Sequence, residues 1–270
     1  MKVKILKITT ILLIFTGSFS CEKDNENSQN DVLINKSDIN IRMIETLSNT
    51  KRTLRFYCLT KEIYPCINYS IGTIINKTTD KIDISFGDVI KYDGCFTAIG
   101  PATCDIDLDA LSNGIYQLDI NVNQKKNSGL LIVSDESYIV KLTENEQIKF
   151  INSPLMRIPP NTIWGTIGYH ENSTSALVQN FINSLQQLGA VSKRYKQGTY
   201  GEYEIGSNGQ IKQQGEDSGY HFAVSFIFYY SGNTSSLEGL VKYYGNHYGE
   251  SLLYIILYTD KGEVYRSWMH

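Results

Sequence analysis

The chain is poor in proline and histidine, with five and four among 270 residues, and it has no long apolar run outside its first twenty residues. A bilayer-spanning helix needs roughly 20 apolar residues, so no transmembrane helix is expected. Clustered basic charge is also missing. Past the start, basic residues run no longer than pairs such as Lys125-Lys126 and Lys193-Arg194, too short to reward nucleic acid or an anionic lipid surface. The signatures G-x-S-x-G, H-E-x-x-H and G-x-x-x-x-G-K-[ST] do not occur, nor do Gly-rich dinucleotide loops; this argues against an enzyme without excluding one. The histidines all stand at or beyond His170 and the cysteines show no C-x-x-C spacing, so neither zinc nor a cofactor is expected. What is present is core material: 41% hydrophobic and 11% aromatic residues, enough to exclude a disordered chain.

Residues 1–20 read as a targeting segment. Lys2, Lys4 and Lys7 give a basic start, Ile8 through Phe15 a short apolar core, and Gly17, Ser18 and Ser20 small residues near a cut. An ordinary secretory signal needs no cysteine after its cut, yet Cys21 follows Ser20 at once, and Glu22, Lys23, Asp24 and Glu26 follow Cys21. This stretch resembles a bacterial lipoprotein signal, over residues 1 to about 26, although Ser18 stands where leucine is commonest. The resemblance implies that Cys21 is acylated and becomes the first mature residue. One acyl chain binds membranes marginally, at ~0.8 kcal/mol per buried methylene, whereas two or three hold firmly. The acidic residues after Cys21 resemble the export signal of surface lipoproteins in the Bacteroidetes group of Gram-negative bacteria. That implies a lipid anchor in the outer membrane with the protein facing the cell surface, the alternative being the periplasmic face. A free cysteine beside an ordinary signal cut is the competing explanation for Cys21. Residues 21–38 read otherwise as a flexible polar tether. Taking the leader's three lysines from the 25 basic residues, against 28 acidic ones, leaves a charge of about −6.

With Cys21 set aside, Cys58, Cys66, Cys95 and Cys104 remain. An even number in an exported chain favours disulfides, and four cysteines allow three pairings. Pro65 and Gly100-Pro101 mark turns within CLTKEIYPC and CFTAIGPATC, so the local pairing Cys58–Cys66 and Cys95–Cys104 is expected. From Ile39 to Leu142 the chain alternates apolar and polar residues in short runs between turn signals, which predicts about seven strands. A β-sandwich over residues 39–150 follows. Within it Leu111, Gly114, Tyr116 and Leu118 resemble the tyrosine corner of immunoglobulin-like and fibronectin-like domains, which implies that the Tyr116 hydroxyl bonds back to upstream backbone. Asp105, Asp107 and Asp109 imitate a calcium loop, but Ala110 replaces its glycine; a strand with one solvated face explains them more simply.

Pro154, Pro159 and Pro160 predict a linker over residues 151–162, followed by a second domain over residues 163–270. TIWGTIGY predicts a strand, and ENSTSALVQNFINSLQQLGA a helix with Leu177, Phe181, Leu185 and Leu188 on one stripe, capped by Ser173 or Ser175 and ended by Gly189. A hairpin around Ser207-Asn208-Gly209 follows, then the strand HFAVSFIFYY. A second helix is predicted from a Ser235/Glu238 capping box, with Leu237, Leu240, Val241 and Tyr244 inward. A final pair of strands turns at Asp260-Lys261-Gly262. The repeated order predicts a ferredoxin-like α+β sandwich, making the chain α+β overall, an Ig-like sandwich followed by a ferredoxin-like domain; one continuous α+β domain is the alternative.

Nineteen tyrosines stand out, well over half from Tyr195 onward. Adjacent residues in a strand or helix cannot share one face, so Tyr229, Tyr230, Tyr243, Tyr244 and Tyr248 are candidate binding residues, against the simpler reading of a tyrosine-rich sheet. His170-Glu171, His221 and His247, with carboxylates at 202, 204, 216 and 217, are the material for catalysis should folding gather them. The expectation is a non-catalytic binding or accessory module for an envelope protein or glycan. The alternative is an exported hydrolase, or an inhibitor of one, using the second domain.

Overall fold

Short alternating segments become strand almost throughout. The computed structural model describes residues 38–94, 98–213 and 219–268; the leader, Cys21 and Cys95 lie outside them. The first stretch holds β1 (Ile39–Leu47), β2 (Arg52–Tyr64), β3 (Tyr69–Lys77), β4 (Lys81–Lys91), β5 (Gly100–Asp109), β6 (Gly114–Val122), β7 (Lys125–Val133), β8 (Ser137–Leu142) and β9 (Ile148–Phe150). Burial along β1 runs alternately inward and outward from Ile39 to Met43, as the period of two requires. Asn123 and Gln124 join β6 to β7 in a two-residue turn with φ of 48° and 67°, the left-handed pair that matches strand twist.

The second stretch holds β10 (Leu155–Met156), β11 (Thr162–Tyr169), α1 (Ser175–Gln187), β12 (Gly198–Thr199), β13 (Tyr203–Ile205), β14 (Ile211–Gln213), β15 (Phe222–Tyr229), α2 (Thr234–Tyr248), β16 (Tyr254–Thr259) and β17 (Val264–Arg266). Both helices bury one stripe against the β11 sheet: Val178, Phe181 and Leu185 from α1, and Leu237, Val241 and Tyr244 from α2. Two caps differ from expectation. Thr174 precedes α1 without a side-chain cap bond. Asn233, rather than Ser235, caps α2 by accepting from the Ser235 amide, because the helix starts one residue before the serine.

The architecture corrects the expected fold class. Among the described residues strand accounts for 51% and helix for 14%, and their strands form a 13-stranded mixed sheet in the order β14-β13-β12-β10-β8-β7-β6-β4-β3-β5-β2-β1-β9 and a four-stranded sheet, β15-β11-β16-β17. The first half is no Ig-like sandwich of two separate sheets: β3 pairs in parallel with β5 at Ser70 and Thr103, and β4 in parallel with β6, so its strands run on as one sheet around a single core. So wide a sheet curls to bury one face. The second half is no ferredoxin-like unit, because β12, β13 and β14, which lie between α1 and β15, leave to join the large sheet through Thr199 against Leu155. Local details behave otherwise. The Tyr116 hydroxyl donates to the Ser112 carbonyl at 2.9 Å, so the tyrosine device works outside the fold it resembled.

The Pro-rich stretch is pinned. Asn152 exchanges side-chain bonds with the Met43 backbone, and Glu45 accepts from the Ile158 amide at 2.8 Å. The same buried carboxylate takes Arg52, Arg157 and the Tyr138 hydroxyl, which satisfies a charge that burial alone would not tolerate. A third core, with Ile158, Trp164, Tyr195, Tyr200, Tyr203 and Ile205, fills the space where β11 and the β12–β14 strands meet.

Candidate functional site

Alternation along β11 and β16 gives the four-stranded sheet two faces. Ile163, Ile167, Ile255 and Leu257 face the helices. The opposite face carries Trp164 and Tyr258 at one end, and Gly168 beside Tyr254 at the other. At the Gly168 end the rings form a row. His170 stacks on Tyr220 at 4.5 Å, Tyr220 lies 5.1 Å from Tyr254, and Tyr254 stacks on Trp268 at 4.2 Å with planes 18° apart. Arg266 sits 5.9 Å over the Trp268 ring, and His221 meets His170 edge-on at 5.1 Å. His170, Tyr220, Tyr254 and Trp268 are half-buried and His221 is exposed. Rings stacked this closely cover each other's inner faces, so the part left to solvent is their edges and the outer faces at the ends of the row.

Gly168 makes the row possible. A Cβ there would come within 2.8 Å of the Tyr220 ring, closer than carbon atoms approach without something moving, so the ring lies flat on bare backbone. The Tyr220 hydroxyl donates to the Glu250 carbonyl at 3.2 Å, and its pKa is raised by burial and then by the Glu250 charge.

At the other end of this face an open cleft of about 290 Å³ is lined by Leu47, Ile158, Trp164, Tyr258, Glu202 and Glu263 among others. Trp164 and Tyr258 stack at 5.5 Å with planes 11° apart. The buried Trp164 Nε1 has no hydrogen-bond partner. Tyr203 lies against the same indole at 5.4 Å, and burial holds its phenol well above the ordinary tyrosine range.

The tyrosines singled out in the sequence do not gather. Tyr230 and Tyr244 are core residues of the helix-covered side, so neither offers a binding face. Tyr229 is half-buried under Lys193, 5.5 Å over its ring. Tyr243 is exposed and pairs with His247 at 4.0 Å, with Tyr248 beyond. The row at Tyr220, Tyr254 and Trp268 was missed. These residues are far apart in sequence, and the signal that could have found them is the parity of Trp164, Thr166 and Gly168 against Tyr254 and Tyr258.

Of the candidate catalytic groups, His170, Glu171 and His221 come together, while His247, Glu202 and Glu204 lie elsewhere. His221 Nδ1 contacts the His170 carbonyl at 3.3 Å, His247 Nδ1 contacts the Tyr243 carbonyl at 2.9 Å, and Glu171 accepts from Ser173. Glu202 lines the far cleft, and Glu204 sits on β13 opposite Lys212; positions 216 and 217 lie outside the described residues. The three aspartates of β5 sit on a strand and are taken by Arg55 and Lys51. Arg55 lowers the Asp107 pKa by its hydrogen bonds.

The cysteines also differ from expectation. Cys58 is a free, buried thiol and Cys104 a free, half-buried one, so neither local bridge is made. Tyr64 lies six residues along β2 from Cys58, about 20 Å of strand, and Cys66 lies beyond it. A disulfide needs Cα atoms within about 7 Å.

No family model matches this chain, and neither a curated protein nor a solved structure does. No helix among the described residues is long and apolar enough to cross a membrane, which says nothing of strands.

Proposed function

We propose that the protein is a lipid-anchored envelope module, without catalysis of its own, that holds a glycan chain along the Trp268–Tyr254–Tyr220–His170 row. The observation that carries this reading is the continuous row of half-buried rings on one sheet face. A sugar ring presents an apolar C–H face and a polar rim. The exposed edges of the stacked rings and the outer faces at the ends of the row meet the first, and Arg266, His170 and His221 stand beside them for the second. A row favours an extended chain of similar units over one compact ligand. The hydrolase alternative is weaker, because His221 Nδ1 is engaged by the His170 carbonyl and Glu202 and Glu204 lie toward the other end. The anchor at Cys21, display on the outer surface and the Bacteroidetes-type export signal rest on the sequence of residues 1 to about 26.

The test is retention of the full mature protein on an array of envelope and host polysaccharides. Wild type should be retained by at least one glycan class, and Trp268→Ala should weaken that retention about tenfold, the loss of roughly one ring contact. Tyr243→Ala, on α2, should leave it unchanged. Equal retention of wild type and Trp268→Ala, or none by wild type, refutes the glycan reading. For the anchor, Cys21→Ala should abolish fatty-acid labelling and release the protein from membranes.

A further inference from the structure

We propose that Cys58 and Cys104 form a cross-strand disulfide that staples β2 to β5 when the protein meets an oxidant. The antiparallel register sets the two residues directly opposite each other, between the Tyr57–Asp105 and Leu59–Thr103 pairs. Opposed residues of antiparallel strands have Cα atoms about 4.5–5.5 Å apart, inside the span a disulfide bridges. Both side chains belong to the core side: Cys58 is fully buried in the first core and Cys104 packs against it. The sulfurs already meet, since the Cys58 thiol is pushed up in pKa first by its hydrogen bond to Cys104 and then by burial. Among the described residues no group of three or more His, Cys, Asp or Glu side chains is placed to hold a metal, so a bond between the two sulfurs is the chemistry the pair supports.

The half-buried Cys104 is the entry point. Its thiolate attacks one sulfur of an organic disulfide, forming a mixed disulfide and releasing the first thiolate. Cys58 then loses its proton and attacks the Cys104 Sγ, and the second thiolate leaves. Two protein thiols are oxidised and one organic disulfide is reduced to two thiols. The staple would close across the excursion of β3 and β4, which leave β2 and return before β5, and so would restrain the unfolded chain over that whole loop.

The supply of oxidant rests on the exported, envelope location proposed above, so the experiment has two arms. In the first, the purified, reduced full-length protein is treated with glutathione disulfide, alkylated in denaturant, and digested with trypsin and chymotrypsin, which cuts after Phe96. Mass spectrometry should find the Cys58 peptide joined to the Cys104 peptide, two hydrogens lighter than the separate thiols. Cys58 recovered alkylated, or joined to Cys66 or Cys95, overturns the pairing. In Cys104→Ser, Cys58 should be recovered as an alkylated thiol; Cys58 still held in an internal bridge would overturn it equally. In the second arm, protein is acid-quenched from intact cells and mapped the same way. The same link there supports both proposals. Free Cys58 and Cys104 in cells, with the link formed in the first arm, would overturn the exported location and leave the pairing standing.

Discussion

The buried carboxylates of the large sheet and the open side of the four-stranded sheet make a contrast. In the large sheet the fully buried carboxylates are answered several times over. Glu45 has Arg52, Arg157, Tyr138 and the Ile158 amide, and Asp119 has Lys81, Lys126 and Ser128. On the open side of the four-stranded sheet the buried Trp164 Nε1 has no partner, and a row of rings stays half in solvent. A satisfied buried charge is costly to disturb and does no further work. Half-exposed rings are stability left unrealised, which is where a ligand gains most. The contrast is the ground on which a scaffold role is proposed for one region and recognition for the other.

Glu45→Ala should break the comparison most severely. It removes the shared partner of two arginines whose side chains are only 26% and 16% exposed, and loss of one member of such a group costs about 3–5 kcal/mol. Urea denaturation should show this as a large drop in midpoint. A drop under about 1 kcal/mol would mean that the arginines rehydrate freely and that the network is not a tie between β1 and the Pro-rich stretch.

Asp119 gives a smaller effect with a defined pH signature. Burial raises its pKa, but bonds from Lys81, Ser128 and Lys126 outweigh burial and bring it to about 2. A carboxylate depressed on folding contributes stability above its unfolded value, near 3.9, and loses it as pH falls toward the folded value. Wild type should therefore lose roughly 1–2 kcal/mol between about pH 5 and pH 2 through this group. Asp119→Asn should be less stable at pH 7 and show a flatter acid limb over the same window. Parallel limbs for the two proteins would contradict the assignment.

Much of the secondary structure was legible in the sequence, because strand periodicity is local. LRFYCL, KIDISFGDVI and IYQLDINV lie in strands, as does HFAVSFIFYY apart from its two end residues, and the hairpin at Ser207-Asn208-Gly209 and the turn at Asp260-Lys261-Gly262 stand where their residues demand. Topology was not legible. Whether β12 to β14 stay with the helices or cross to the large sheet is decided by burial of Tyr200, Tyr203 and Ile205 against Trp164, a contact between distant segments. The same limit hid the proposed binding face. Tyr243-Tyr244 and Tyr229-Tyr230 drew attention as adjacent pairs, yet one member of each belongs to a core, while the ring row is assembled from residues 170, 220, 254 and 268 by sheet register.

Gly168→Ala sharpens the comparison from the recognition side. The added methyl must displace the Tyr220 ring, which costs roughly 1 kcal/mol of stability by overpacking. It should weaken glycan retention several-fold by tilting one ring out of the row. Retention equal to wild type with the same stability loss would place Tyr220 outside the ligand's footprint and confine the site to Tyr254 and Trp268.

The smallest effect is expected at Trp164, where the comparison is most exposed to error. Its indole is buried and stacked, so a substitution that keeps a ring keeps much of its packing. Its Nε1–H has no partner, so a ring without that donor removes an unanswered polar group, which is neutral or favourable. The lost ring volume works in the other direction. Trp164→Phe should therefore fall within about 1 kcal/mol of wild type, far below Glu45→Ala, although both residues line the same cleft. A loss above about 2 kcal/mol, beyond what the smaller ring explains, would show that the indole donor is satisfied in solution. The divide between an answered and an unanswered region would then run between the cleft and the ring row, leaving only the row on the recognition side.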